Sequence, residues 1–180
     1  MQLNLPNYVT DYLIKRAMRT PYFHLDGYME RYWLVPFSNG YNGAFTKEVT
    51  GCYTACFYRQ PFIWVLQKLG IAIRIHKILR SDNARAFHNH PWNFISIILK
   101  GMYTEVTPIY DKSDYFVGTN FRSFEAGDVL FRKSNALHRL ILAKNKPVWT
   151  LFITGRKQRV WGFLTQPKFL TKHYEYDKDV

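Results

Sequence analysis

From residue 71 onward the chain alternates apolar and polar positions in short runs. Ile71, Ile73 and Ile75 alternate with Ala72, Arg74 and His76, the two-residue period of a half-buried strand. The same pattern predicts strands over 93–100, 102–108, 115–117, 121–124, 129–132, 137–143, 148–154 and 160–164. Turn residues separate them: Gly101, the 111–114 stretch, Gly118, Ala126-Gly127, the 145–147 stretch and Gly155. Many short strands at regular spacing predict a closed barrel or jelly roll. Before them, residues 7–19 predict an amphipathic helix with Tyr8, Tyr12, Leu13 and Ala17 on one side, ended by Thr20-Pro21. Residues 24–37 read as a strand after a turn at Asp26-Gly27. Residues 38–51 read as a loop, and 52–69 as a second helix broken at Pro61.

This gives one domain over residues 1–180. Residues 1–22 form an N-terminal helical extension, 38–69 an insertion, and 71–165 the mainly β core. The aromatic content of 18% fits strands, where flat side chains pack on a pleated surface. No run of about 18 apolar residues suits a membrane-spanning helix. The N-terminus lacks the basic and apolar regions of a signal peptide. Cys52 and Cys56 lie four apart, without a C-x-x-C spacing, and read as inert core thiols. A cytoplasmic, reduced protein is expected. No Walker-type loop, G-x-S-x-G elbow or dinucleotide fingerprint occurs, which leaves nucleotide-triphosphate and serine-hydrolase chemistry without support.

Charge adds a second theme. The net charge is +12, and no acidic residue occurs over 129–174, which holds ten Lys or Arg. Residues 49–81 also lack acids. Such a field attracts anions, whether small metabolites, nucleic acid or an acidic protein, or it serves only as a solvated basic surface. The run GRKQRVW (Arg156, Lys157, Arg159, Trp161) reads as a nucleotide-stacking patch or as a turn anchored by its Trp.

The candidate chemistry lies in the histidines. In His88-Asn89-His90-Pro91, residues i and i+2 of an extended chain present two imidazoles to one face. His138 follows the turn glycine Gly127 by eleven residues. These residues resemble the cupin superfamily. Its first motif is H-x-H, three or four residues, Glu, six residues, Gly; here His88, His90 and Gly101 match. Its second is Gly, five residues, Pro, one residue, Gly, two residues, His; here Gly127 and His138 match. Lys133 and Asn135 replace the Pro and second Gly, with Asn135 expected to take the positive φ. Phe94 and Ile95 stand where the motif Glu belongs. Glu105 is the candidate replacement ligand, or else an exposed strand carboxylate; Asn93 is a weaker candidate as ligand or hydrogen-bond donor. The runs over 73–105 and 138–163 also look like a set of small bacterial and phage cupins with HDHPW-type, GGYxE-type and WTLFITG motifs, a likeness covering roughly residues 28–36 and 71–165. Asn89 stands where that set has Asp.

The resemblance implies a cupin double-stranded β-helix (jelly-roll barrel) with an N-terminal helix and a helical or loop insertion. It implies one divalent transition metal (Fe, Mn, Ni or Zn) on His88, His90 and His138, with Glu105 as a further ligand. The implied activities are oxygenase, isomerase or epimerase, and hydrolase or lyase, alongside plain binding modules. We expect a metal-dependent, oxygenase-like enzyme for a small anionic substrate, or alternatively a non-catalytic module for a nucleotide, nucleic acid or protein. A third reading is an assembly protein whose metal staples the barrel. Arg74, His76, Trp92 and Asn93 are the candidate substrate-binding residues, with Arg74 as an anion anchor. Arg139, next to His138, is expected to face away from the metal. A homodimer through an edge strand is a further expectation.

Overall fold

The computed structural model describes residues 2–35, 61–82, 86–143, 146–166 and 169–172. Helix α1 (Asn7–Ala17) leads into strands β1 (Pro21–Leu25) and β2 (Met29–Val35). Helix α2 (Pro61–Lys68) follows, then β3 (Ala72–Ile78), β4 (Phe94–Lys100), β5 (Met102–Tyr110) and β6 (Phe116–Glu125). Strands β7 (Val129–Arg132), β8 (Arg139–Leu142), β9 (Val148–Thr154), β10 (Gly162–Gln166) and β11 (Phe169–Lys172) complete the order.

The strands form an antiparallel six-stranded sheet in the order β1-β2-β3-β9-β4-β7, a three-stranded sheet β6-β5-β8, and the hairpin β10-β11. The alternation seen in the sequence decides which face each residue takes. Ile78 of β3, Ile98 of β4, Leu130 of β7 and Val148 of β9 point inward from the large sheet. There they meet Tyr103 of β5, Phe124 of β6, and Leu140 and Leu142 of β8 from the small one. All eight are buried, so the two sheets face each other across one core. This is the jelly-roll arrangement that the pattern of short strands predicts.

The opposite face of the large sheet is covered by α1. Ile14 and Ala17 pack on Tyr32 of β2, Ile75 of β3 and Leu99 of β4. The side facing the sheet only partly matches the expected one, Ala17 being buried as expected and the two tyrosines not. Thr10, Ile14 and Ala17 are buried, whereas Tyr8 and Tyr12 are 76% and 66% exposed. The two tyrosines, four apart, share the solvent side.

Other boundaries also moved. The expected turn at Asp26-Gly27 is present, with Gly27 at φ +63°, and the strand after it, β2, begins at Met29 and pairs with β1 before the turn in a hairpin that extends the large sheet beyond β3. The expected strands 115–117 and 121–124 are one strand, β6, because Gly118 keeps its place in the register opposite Ile109. Pro61 opens α2, where its missing N–H costs nothing, and the part of the expected helix before it, 52–60, lies outside the described residues. Asn135 does not take a positive φ; among described non-glycine residues Asp114 does, at +60°. Cys52 and Cys56, and the insertion over 38–60, lie outside the described residues.

The outer edge of β8 is closed by side chains. Asp82 Oδ2 accepts the Leu140 amide and Ser81 Oγ accepts the Leu142 amide, each at 2.8 Å, while the Asp82 amide donates to the Leu140 carbonyl at 2.7 Å. Asp82 is 1% exposed. Asp82→Ala leaves the buried Leu140 amide without its acceptor and is expected to destabilise the fold by about 1–3 kcal/mol. Urea unfolding monitored by tryptophan fluorescence checks this; a midpoint equal to wild type contradicts it.

Candidate metal centre

Three stretches of chain meet where the two sheets join. His88 and His138 are directly opposite one another in an antiparallel bridge: the His88 amide donates to the His138 carbonyl at 2.9 Å, and the His138 amide returns a bond to the His88 carbonyl at 3.0 Å. Side chains of such a pair leave from the same face. His90, two residues on, shares that face with His88. The three imidazoles each offer a ring nitrogen within 4.8 Å of the others. Ring centroids lie 4.8 Å apart for His88 and His138, 5.2 Å for His88 and His90, and 5.0 Å for His90 and His138.

The backbone around them is tied down on every side. Asn89, between the two histidines, points the other way, and its Oδ1 accepts the Gly162 amide at 2.9 Å. The His90 amide donates to the Ser134 carbonyl at 3.3 Å. Asn93 Oδ1 accepts the Ser134 amide at 2.8 Å, so Asn93 spends its acceptor on the segment leading to His138. The GRKQRVW stretch acts as a brace. The Gln158 and Arg159 amides both donate to the Pro91 carbonyl, Arg159 Nε donates to Ser134 Oγ at 3.0 Å, and Trp161 lies 6.4 Å from the His88 ring.

Glu105 of β5 stands behind His138, away from the point where the ring nitrogens converge. His138 Nδ1 donates to Glu105 Oε1 at 2.8 Å. Arg132 of β7 grips the same carboxylate, Nε on Oε1 at 3.0 Å and Nη2 on Oε2. Burial by itself would raise the Glu105 pKa, but the bonds from His138 and Arg132 hold it down at about 2. The carboxylate therefore stays ionised and fixes the hydrogen of His138 on Nδ1. The Nε2 lone pair is left facing the cluster, 2.8 Å from His90 Nε2. His90 is held well below the ordinary imidazole range by burial first, then by His138, His88, His76 and Arg74. Two ring nitrogens that close suit a shared cation, which both can ligate. The donor set thus fits a divalent transition metal.

Phe94 and Phe152, whose rings are 4.7 Å apart, and the fully buried Phe163 wall the cluster with apolar surface. Arg74 and His76 lie on the inward face of β3, 4% and 8% exposed. The guanidinium carbon of Arg74 lies over the Trp33 ring at 4.8 Å and the Trp92 ring at 4.5 Å. The His76 ring stacks on Phe152 at 4.6 Å. Arg139 faces away from the cluster, its guanidinium over the Phe87 ring at 5.3 Å. Sequence reasoning missed Arg132 and Trp33. The alternation of β7 carried a signal for the first, because Arg132 shares a face with Leu130.

No protein-family model matches the chain, and no curated protein matches its sequence. Solved structures do match. A single-residue mutant of Bacillus subtilis oxalate decarboxylase superposes with a TM-score of 0.51 at 14% identity over 83% of this chain and 31% of that one. Vicilin from hazelnut, Corylus avellana, gives 0.51 at 14% identity over 81% and 34%. The Lactobacillus farciminis oxalate decarboxylase–formate complex gives 0.50 at 11% identity over 93% and 36%. The chain spans about a third of the length of each of these proteins. These are cupin-fold proteins, and the chain described here has the cupin jelly-roll fold. Its three-histidine group occupies the junction of the two sheets. No described helix is long and apolar enough to cross a membrane.

Glu105→Gln should keep the fold but remove the charge that orients His138. The expected result is a roughly 10- to 100-fold loss of metal affinity, the usual effect of removing the group behind a ligating histidine. Competition of Zn or Mn against a chromophoric chelator measures it. Unchanged affinity contradicts the role assigned to Glu105.

Proposed function

We propose that this chain is a metal-dependent cupin enzyme of oxygenase-like type. Its single divalent transition metal (Fe, Mn, Ni or Zn) is held by His88, His90 and His138, and its substrate is a small anion. The observation that carries this reading is the convergence of three imidazole nitrogens within 4.8 Å, with Glu105 and Arg132 fixed behind one of them. Three neutral ligands leave the charge of a divalent ion uncompensated. When bound, such an ion supplies Lewis-acid activation of an oxygen donor, with coordination positions left open for substrate, water or dioxygen. The protein's own part is positional. Glu105 sets the tautomer of His138, and Asn89, Asn93, Gln158 and Arg159 hold the loops that carry the histidines. Phe94, Phe152 and Phe163 keep the surroundings dry, which strengthens every charge interaction there. The likeness in fold to an oxalate decarboxylase with Mn(II) centres supports a metal and a small substrate.

The test is elemental analysis of protein purified without a histidine tag, beside His88→Ala and His138→Ala. Near-stoichiometric Fe, Mn, Ni or Zn in wild type, lost in both variants, is the expected outcome. Its identity then selects oxygen-uptake or hydrolysis assays. Wild-type protein that stays metal-free after reconstitution overturns the proposal.

A further inference from the structure

Arg74 and His76 sit inside the protein, where a guanidinium and an imidazole are costly to desolvate. Both leave the inward face of β3, one turn of the pleat apart, and both are more than nine-tenths buried. Their strand neighbours face the same interior: Arg74 is opposite Phe152 and His76 is opposite Thr150 on β9. Two indole faces, Trp33 and Trp92, compensate the charge of Arg74, and its Nη2 donates to Thr154 Oγ1 at 3.3 Å. These contacts set the guanidinium in place against flat aromatic surface. His76 Nε2 is a buried ring nitrogen with no hydrogen-bond partner. Burial, then Arg74 and Arg31, keep its ring well below the ordinary imidazole range, so it is neutral at pH 7 and one of its nitrogens bears a hydrogen. Buried polar atoms are paired in folded proteins with few exceptions, and an exception calls for an explanation.

The neighbourhood supplies one. Phe152 is shared: its ring is 4.6 Å from His76 and 5.8 Å from His90. We propose that Arg74 and His76 form an anion receptor beside the three-histidine centre, one that takes the carboxylate of a small carboxylic-acid substrate carrying a second oxygen donor. A carboxylate is planar and matches the guanidinium edge in two parallel bonds. It lies flat against the same indole surfaces that hold Arg74, which a tetrahedral anion does not. Because Phe152 packs on both His76 and His90, the second oxygen donor is directed toward the histidines. The receptor rests on the metal-centre reading only for that second contact; its hold on the carboxylate stands without a metal.

The experiment is calorimetric titration of the full chain with acetate, oxalate, malonate, succinate and inorganic phosphate, in the metal-reconstituted wild type and in His88→Ala. The variants Arg74→Met and His76→Phe are titrated alongside. His76→Phe keeps the stack on Phe152 and removes the ring nitrogens. At least one dicarboxylate is expected to bind wild type, and both variants are expected to weaken it tenfold or more with metal content unchanged. A ring-nitrogen NMR signal of His76 that moves on addition of the carboxylate supports the same contact, even where Arg74→Met fails to fold. Carboxylate binding that persists, weakened, in His88→Ala and is lost in His76→Phe upholds the receptor whatever becomes of the metal. The proposal is overturned if the variants bind as wild type does. It is equally overturned if no carboxylate binds, or if phosphate binds in preference to every carboxylate. A metal-loaded protein that gives any of those three results sinks the receptor and leaves the metal centre standing.

Discussion

The structure turns on a pair of backbone hydrogen bonds, the reciprocal exchange between His88 and His138 at 2.9 and 3.0 Å. Neither residue lies within a named strand: His88 precedes β4, in the large sheet, and His138 precedes β8, in the small one. The bridge brings the starts of these strands together and sets two imidazoles on one face without relying on any side-chain contact. His90 then follows from the pleat, and Glu105 reaches His138 because β5 is the neighbour of β8. Because the backbone positions the rings, most of the ordering entropy of the site is met by folding and not by ligand binding.

The distribution of charge inside differs from that on the surface. The chain as a whole is strongly basic, yet two of its buried charges are offset locally. Glu105 is matched by Arg132, one on each sheet, and Arg74 is offset by aromatic faces. Buried charges of this kind are tolerated only when such compensation is built in. The basic balance read from composition therefore says nothing of these two interior sites, each of which has its own compensating partner.

Much of this was legible in the sequence, and the failures have physical causes. The two-residue period of β3 placed Arg74 and His76 on one face, but whether that face meets solvent or core depends on what covers it. Here α1 covers the other. The H-x-H spacing and the distance from Gly127 to His138 brought out the three histidines, because spacing within a strand or turn is local. Glu105 stood out as a lone carboxylate on an inward position, yet its role depends on Arg132, twenty-seven residues away and on the other sheet. No local pattern reports such a partner. The face of α1 was misjudged because Tyr8 and Tyr12 count as apolar in periodicity, while their size and hydroxyl groups favour the surface. Gly118 read as a turn, but glycine in a long edge strand is compatible with continued pairing.

The side-chain cap on β8 has a consequence for how the molecule meets others. Ser81 and Asp82 imitate a neighbouring strand, so the amides along that border are already satisfied and cannot template a foreign chain. The opposite border of the small sheet is β6, a ten-residue strand paired to β5 alone among the described strands, with Phe116, Val117 and Phe121 about half exposed or more. The small sheet is thus directional: growth by strand addition is stopped at one border and open at the other, which limits any such pairing to a closed couple and bars a running stack.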